Sequence, residues 1–410
     1  MSRTVIIIAI AACYFIFAVL LNSVGTVILQ SIHSFDISKP QASVLEGFKD
    51  ISIAIVSFFI AALIPKIGYK IALLIALSAV LMMSILTPYI ADFAVIKVLF
   101  AVIGASFALV KVSVYSIIGQ LSSSTKAHSS LLNTIEGIFM LGSLSGYWLF
   151  SFYIEPTTDK NHWLDVYYAI SALILLTLLL VIYSPIKKTQ QDVPQQLNVA
   201  KEFADMVKMA YQPLVIIFVL SIFLYVLIEQ GIGTWLPTFN SEILQLPVNI
   251  SVQITSIFAA SLALGRLLAG QILRYVNWYL FLNVAIILMA ALIIMTLPLT
   301  RHLANEQVKT IFDAPLVAYL LPLIGLVMAP IYPVLNSVML RSLANHKHAA
   351  MTGLIVVFSA LGGTTGSIIT GFTFDAFGGQ HAFYLSLLPM AFILVGIYFF
   401  RRATLTLARE

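Results

Sequence analysis

The sequence is poor in charged residues and has a single cysteine. Only 10% of its 410 residues are Asp, Glu, Lys or Arg, against 60% hydrophobic residues, whereas a soluble globular chain has about 25% charged residues. So few charges cannot cover the apolar surface of a water-soluble fold, which argues against soluble enzymes and nucleic-acid-binding proteins. Cys13 alone excludes an internal disulfide, a cysteine zinc site and an iron–sulfur cluster, and we interpret it as a small packing residue.

The apolar runs have no histidine in their interior, and the sequence has no nucleotide-binding motif. All seven histidines fall in loops or at the ends of apolar runs, so any proton pathway inside a membrane has to use carboxylates. No Gly-Lys-Ser/Thr phosphate loop, metal-ligand spacing or nucleophile elbow is present. These absences disfavour ATP-driven transport and intramembrane enzymes, and we predict no cofactor and no metal.

The apolar residues form twelve runs, each long enough to cross a bilayer as a helix of about 20 residues. The runs are 4–31, 42–64, 70–91, 93–120, 128–154, 163–184, 213–239, 249–274, 277–299, 312–342, 348–376 and 380–401. A polar stretch, 185–212, follows the sixth run. The pattern predicts an all-α polytopic membrane protein with twelve transmembrane helices. Two pseudo-symmetric six-helix bundles, 1–184 and 213–410, would be joined by a cytoplasmic linker at 185–212.

Lys and Arg residues indicate the orientation of these runs. With the N-terminus inside, the cytoplasmic side receives most of them, including Lys66, Lys70, Arg274 and Arg341. Cytoplasmic loops of helical membrane proteins are enriched in Lys and Arg, so both termini are predicted to be cytoplasmic. This topology also explains the net charge of +5 without a nucleic-acid partner. The first run, which lacks a small-residue cleavage site, reads as a spanning helix rather than a cleaved signal peptide.

Charged residues inside the runs are the candidate functional residues, because each costs about 2.5–3.5 kcal/mol in a bilayer. Glu46, Lys49 and Asp50 share one face of the second run at spacings of three and four. One interpretation is a proton-carrying carboxylate tuned by a neighbouring cation. The other is a local ion pair that reaches toward the interface.

Lys111 and Glu136 lie at similar depth in the fourth and fifth runs. Consecutive antiparallel helices would bring them together, and we predict a buried pair. Because desolvation can exceed the attraction within such a pair, it suits a switch better than a structural support. Protonation of Glu136 would release Lys111 for a substrate oxygen, although a purely structural pair stays open.

The seventh run carries Glu229 with Gln230 beside it and Trp235 nearby. A carboxylate inside the membrane can exchange a proton, and an amide and an indole suit a hydroxylated ligand. The alternative is an interhelical hydrogen bond. Arg266 in the eighth run is interpreted as a structural latch.

Twelve runs with a linker after the sixth resemble the major facilitator superfamily. The superfamily's Gly-x-Leu-x-Asp-Arg-x-Gly-Arg-Lys motif is partly matched at 61–70, where Leu63, Gly68 and Lys70 agree and Pro65 replaces the Asp. The segments 132–134 and 223–233 are similar to the branch of fucose:proton symporters and glucose/galactose carriers, as are Gly265-Arg266, Tyr332-Pro333 and the glycine-rich eleventh run. The resemblance implies a substrate-facing Asn133.

Two positions depart from that branch. Its acidic residue in the first helix would fall near Gly25 or Thr26, and its glutamate in the fourth helix aligns with Lys111. The proton carrier must therefore differ, and the candidates are Glu46, Asp50, Glu136 and Glu229. A lysine in the cavity also favours an acidic or phosphorylated ligand over a neutral sugar.

Together these observations predict a monomeric secondary transporter of the plasma (inner) membrane, whose two halves rock around a midplane site. The predicted partners are protons, the lipid bilayer and a small polar solute, by resemblance a sugar or sugar derivative taken up by symport. The predicted substrate-binding residues are Lys111, Asn133, Glu229, Gln230, Trp235 and Asn336. The alternatives are an organic-anion carrier that uses Lys111, a proton-driven efflux antiporter, and a non-transporting receptor, which the short loops disfavour.

Overall fold

The structure is a computed structural model that describes residues 2–122, 124–154, 160–186, 206–302, 308–344 and 347–407. Every regular element in these residues is helical. Ten of the described helical segments are long and apolar enough to cross a membrane. The prediction of an all-α, multi-pass membrane protein is therefore confirmed.

The chain divides into two compact units. The first comprises Met1–Ile37 and Leu45–Leu197, and the second comprises Ser38–Val44 and Asn198–Glu410. The predicted linker at 185–212 lies largely outside the described residues, so its boundaries stay a prediction. Several side chains of the motif at 61–70, those of 61–63, 65 and 66, also lie outside them.

Among the described residues, seven α-helices precede the predicted linker. They are α1 Ser2–Asn22, α2 Val24–Phe35, α3 Lys39–Ile67, α4 Tyr69–Ile90, α5 Phe93–Leu121, α6 Thr125–Tyr153 and α7 Val166–Tyr183. Helices α3 and α6 have 29 residues each and coincide with the predicted second and fifth runs.

Nine further α-helices follow the predicted linker in the part of the chain that the structure describes. They are α8 Pro213–Glu242, α9 Val248–Ile272, α10 Trp278–Thr296, α11 Leu316–Leu320, α12 Ile324–Met328, α13 Ile331–Arg341, α14 His348–Phe377, α15 Gly379–Tyr384 and α16 Leu387–Leu407. The short helices α11, α12 and α13 together form the predicted tenth run. A short 3-10 helix, Leu321–Leu323, connects α11 to α12.

Two predicted runs are not continuous helices. The first run breaks at Ser23, where the hydroxyl donates to the Leu20 carbonyl at 2.8 Å and the Asn22 amide donates to the Ala18 carbonyl at 2.8 Å. Such side-chain bonds compete with the helical hydrogen-bond ladder. The tenth run is interrupted near Pro322 and Pro330, because proline lacks the N–H that a continuous helix needs.

The two units use the same internal packing scheme. In the first, α1 packs on α6 and α7, and α4 packs on α7. In the second, α8 packs on α14 and α16, and α10 packs on α16. The first, fifth and sixth spans of each unit therefore meet in the same way, as expected for two repeats of one bundle.

Glycines allow the closest of these helix contacts. In α6, Gly142 and Gly146 lie against the backbone of Phe15 and Val19. In α14, Gly362 and Gly366 lie against the backbone of Phe223 and Leu227. Both glycine pairs and both partner pairs are spaced by four residues, so each forms one stripe along a helix.

We expect Gly366→Ala to destabilise the protein, because its new Cβ would overlap the Leu227 carbonyl and push α8 and α14 apart. Overpacking of this kind costs about 1–3 kcal/mol. Thermal unfolding of the purified protein in detergent would measure the loss. Gly119→Ala is the matched control, since its Cβ meets no atom within 4 Å. Equal melting temperatures for the two variants would contradict the close-packing argument.

Candidate functional site

In the first unit, helices α5 and α6 bring a basic, an acidic and a phenolic side chain together. Lys111 and Tyr115 are four residues apart on α5 and so share a face. The Tyr115 hydroxyl donates to Glu136 Oε1 of α6 at 2.7 Å, and Lys111 lies within electrostatic range of the same carboxylate. The Lys111 ammonium also lies 6.0 Å from the centre of the Phe107 ring.

Among the described residues no salt bridge joins Lys111 to Glu136, so their direct pairing stays a prediction. Lys111 is exposed and Glu136 is half-buried, and the short contact to the carboxylate comes from Tyr115 instead. The phenol hydroxyl donates to one carboxylate oxygen but carries no charge, so it does not neutralise the carboxylate. Asn133, three residues before Glu136 on α6, is also exposed.

Tyr14 of α1 completes this group, and sequence reasoning missed it. Its ring is buried and stacks on Tyr115 with the ring centres 6.3 Å apart. Its buried hydroxyl interacts with the Tyr115 hydroxyl and lies within electrostatic range of Glu136. A tyrosine in the middle of an otherwise apolar run was the available signal, because a buried phenol usually has a partner.

In the second unit, α8, α9 and α13 assemble the same kinds of groups. The hydroxyls of Tyr225 and Tyr332 lie within electrostatic range of both the Glu229 carboxylate and the Arg266 guanidinium. The two phenol rings are 6.0 Å apart, and the Ser359 hydroxyl of α14 donates to the Tyr332 oxygen at 3.3 Å. Arg266, predicted to be a structural latch, therefore belongs to the same group as Glu229.

The other predicted substrate residues of this unit differ in accessibility. Asn336 lies one turn beyond Tyr332 on α13, is half-buried, and has an Oδ1 atom without a hydrogen-bond partner among the described residues. Gln230 is half-buried. Trp235 is fully buried, and its indole N–H donates to the Ser367 carbonyl at 3.0 Å. In this conformation the Trp235 side chain is fully enclosed by the unit, so its role in the solute path stays a prediction.

Glu46, Lys49 and Asp50 form a buried ionic triad in α3. They are 0%, 5% and 8% exposed, so the triad does not reach toward solvent. The Lys49 ammonium contacts Glu46 and lies 3.5 Å from Asp50 Oδ1. Gly104 of α5 packs against the Lys49 backbone, and Tyr147 of α6 lies within electrostatic range of Lys49 and Glu46. Three helices thus enclose these charges.

The groups suit hydrogen bonding and proton exchange rather than bond cleavage. Among the described residues, no cluster of three or more His, Cys, Asp or Glu side chains could hold a metal ion. The tyrosine-containing group of each unit combines one carboxylate, one basic side chain and two tyrosines, a set that offers both donors and acceptors to a polar solute.

The sequence matches the family model of the Major Facilitator Superfamily over residues 10–367. The chain belongs to this superfamily. It is therefore a multi-pass membrane transporter and not an enzyme. No curated protein matches it closely enough in sequence to count as a relative.

Three solved structures illustrate the shared fold. The nucleoside transporter NupG superposes with a TM-score of 0.75 at 13% identity, over 97% of this chain and 99% of that one. The E. coli fucose:proton symporter FucP gives 0.63 at 17% identity, over 98% and 99%. A D-xylose-proton symporter gives 0.68 at 14% identity, over 98% and 97%. At these identities the likeness shows the fold alone, and the superfamily resemblance predicted from sequence is confirmed.

Proposed function

We propose that the chain is a proton-coupled symporter that takes up a small polar solute, a sugar or sugar derivative, by alternating access. The observation that supports this most directly is the repeated group of a carboxylate, a basic side chain and tyrosine hydroxyls within the spanning helices of each unit. Two of the structures with the same fold are those of proton symporters of fucose and D-xylose.

The carboxylates that we assign to proton exchange are Glu136 and Glu229. Both are half-buried and lie next to tyrosine hydroxyls. Glu46 and Asp50 are instead enclosed with Lys49, and we assign them a structural role. Coupling then requires only that protonation changes the relative free energies of the two access states, where about 1.4 kcal/mol corresponds to a tenfold population ratio.

The orientation and assembly state belong to the same proposal. We place the protein in the plasma (inner) membrane with both termini in the cytoplasm, because Lys and Arg concentrate on that side. We propose that it acts as a monomer, since each unit contains its own group of polar residues.

Uptake into proteoliposomes with an imposed pH gradient tests the proposal. A panel of radiolabelled sugars, sugar derivatives and nucleosides would be offered with the outside acidic, with and without a protonophore. We expect at least one solute to accumulate above its external concentration, and the protonophore to abolish that accumulation. Uptake that only equilibrates the solute and does not depend on the pH gradient would contradict the proposed proton coupling.

Exposure of Lys111 supports a second candidate, a carrier of organic anions such as carboxylates or phosphorylated solutes. An accessible ammonium beside an aromatic ring could bind an anionic oxygen directly. The half-buried Glu136 nearby limits the net positive charge while it is ionised. Its protonation would make the group cationic.

For this candidate we expect Lys111→Gln to lower carboxylate uptake at least about tenfold, the loss typical for a charge-assisted hydrogen bond. Uptake of a neutral sugar by the same variant should change little. Lys97→Gln is the control on the same helix, because the Lys97 ammonium lies 5.3 Å from the Phe93 ring, near the start of α5. Equal carboxylate uptake by both variants would exclude an anion carrier that depends on Lys111.

A further inference from the structure

The second unit contains a cavity of about 530 Å³ that shares Arg266 with the group around Glu229. It lies between the end of α9, the start of α10 and the helix α13. Its polar lining includes Arg266, Asn277, Ser337 and Arg341, with Trp278 beside them. The rest of the lining is mostly aliphatic, with two prolines.

The charge of this cavity is positive. Two guanidinium groups line it, and no Asp or Glu in the described part of the chain does. Arg341 forms no salt bridge within the described part of the chain, and it is exposed at the last position of α13. A guanidinium presents a planar fork of donors that matches phosphate oxygens, so the cavity suits a phosphate group.

The position of the cavity selects a lipid as the source of that phosphate. Arg341 and the start of α10 lie at the ends of spanning helices, where a bilayer has its headgroups. Trp278 is half-buried there, and tryptophan is enriched at this depth. Leu267 and Leu268, next to Arg266, are 71% and 48% exposed. Acyl chains would pack on these leucines, whereas a soluble phosphate would need only the arginines.

We propose that this cavity binds the headgroup phosphate of an anionic phospholipid, with Arg341 as the principal ligand and the acyl chains against the exposed face of α9. The site lies at the membrane face that the charge pattern predicts to be cytoplasmic. It is distinct from the proposed symport, since lipid binding can be measured without transport.

Native mass spectrometry of the purified protein, titrated with phosphatidylglycerol, tests the assignment. We expect one phosphatidylglycerol to bind more tightly than phosphatidylcholine. Arg341→Gln should weaken that binding about fivefold or more, since one basic residue near an anionic membrane contributes about 1 kcal/mol. Arg341→Lys should keep part of it, because lysine keeps the charge but lacks the planar fork of donors. Arg274→Gln is the matched control, because Arg274 is an exposed arginine that follows α9 and does not line the cavity.

Three results would overturn the proposal. Equal weakening by Arg341→Gln and Arg274→Gln would show only general attraction to an anionic surface. Equal binding of phosphatidylcholine and phosphatidylglycerol would show that net lipid charge is not recognised. If inorganic phosphate or glycerol phosphate displaced the lipid at micromolar concentration, in a manner that depends on Arg341, the ligand would be a soluble phosphate instead.

Discussion

Replacing Glu229 by Gln should abolish the accumulation of solute driven by a proton gradient. The amide resembles the protonated carboxyl in shape but cannot release a proton. The two access states would then interconvert regardless of pH, and the pH gradient could do no work on the solute. In proteoliposomes we expect the ratio of internal to external solute to fall to about 1. The change is at least about tenfold if the gradient lets the wild-type protein reach a tenfold ratio, which corresponds to about 1.4 kcal/mol.

Exchange of solute across the membrane should survive the same substitution. Counterflow, in which unlabelled internal solute drives labelled solute inward, does not require net proton movement. We expect Glu229→Gln to retain most of it, which separates a coupling defect from a folding defect. Glu242→Gln is the control on the same helix, because Glu242 pairs with Lys39 at 3.1 Å and is 31% exposed in its side chain. Concentrative uptake by Glu229→Gln would assign coupling to another carboxylate.

The second large effect is expected on stability, at the triad in α3. Lys49→Met would leave the Glu46 and Asp50 carboxylates buried without their cation. Removing one partner of a buried ionic group costs about 3–5 kcal/mol, because the remaining charge is neither solvated nor neutralised. We expect a large drop in the apparent melting temperature and in the yield of monodisperse protein.

Further variants show whether the charge imbalance causes that loss. Adding Glu46→Gln and Asp50→Asn to Lys49→Met removes all three charges and should recover much of the stability. Lys39→Met is the control on the same helix, since the partly exposed Lys39–Glu242 pair is worth about 1 kcal/mol or less. Two results together would instead assign the triad to proton coupling. Lys49→Met would have the same melting temperature as the wild type, and uptake by Glu46→Gln would no longer depend on the pH gradient.

The polar groups of the two units are similar in composition but differ in their hydrogen bonds. Each contains a carboxylate within reach of tyrosine hydroxyls and a basic side chain. The first unit joins its carboxylate to a phenol by a direct hydrogen bond of 2.7 Å. In the second unit, Asn336 Oδ1 has no hydrogen-bond partner among the described residues. A solute hydroxyl could satisfy this buried acceptor, which makes the second unit the better candidate for solute contact.

The amino-acid sequence by itself determined the fold class, the approximate limits of the spans and the presence of charges inside them. In a bilayer each helix has to satisfy its own backbone hydrogen bonds, so the spans follow from local composition alone. The first and tenth predicted runs are not continuous helices in the structure. Ser23 explains the break in the first run and the prolines explain the breaks in the tenth, and both effects are local.

Only the tertiary structure decided which side chains meet. It placed Tyr14 against Tyr115, grouped Arg266 with Tyr332, and enclosed Lys49 between helices. A helix that is apolar on every side carries little information about its rotation around its own axis. That rotation is fixed by the glycine stripes through which the helices approach, and these contacts join residues far apart in the chain.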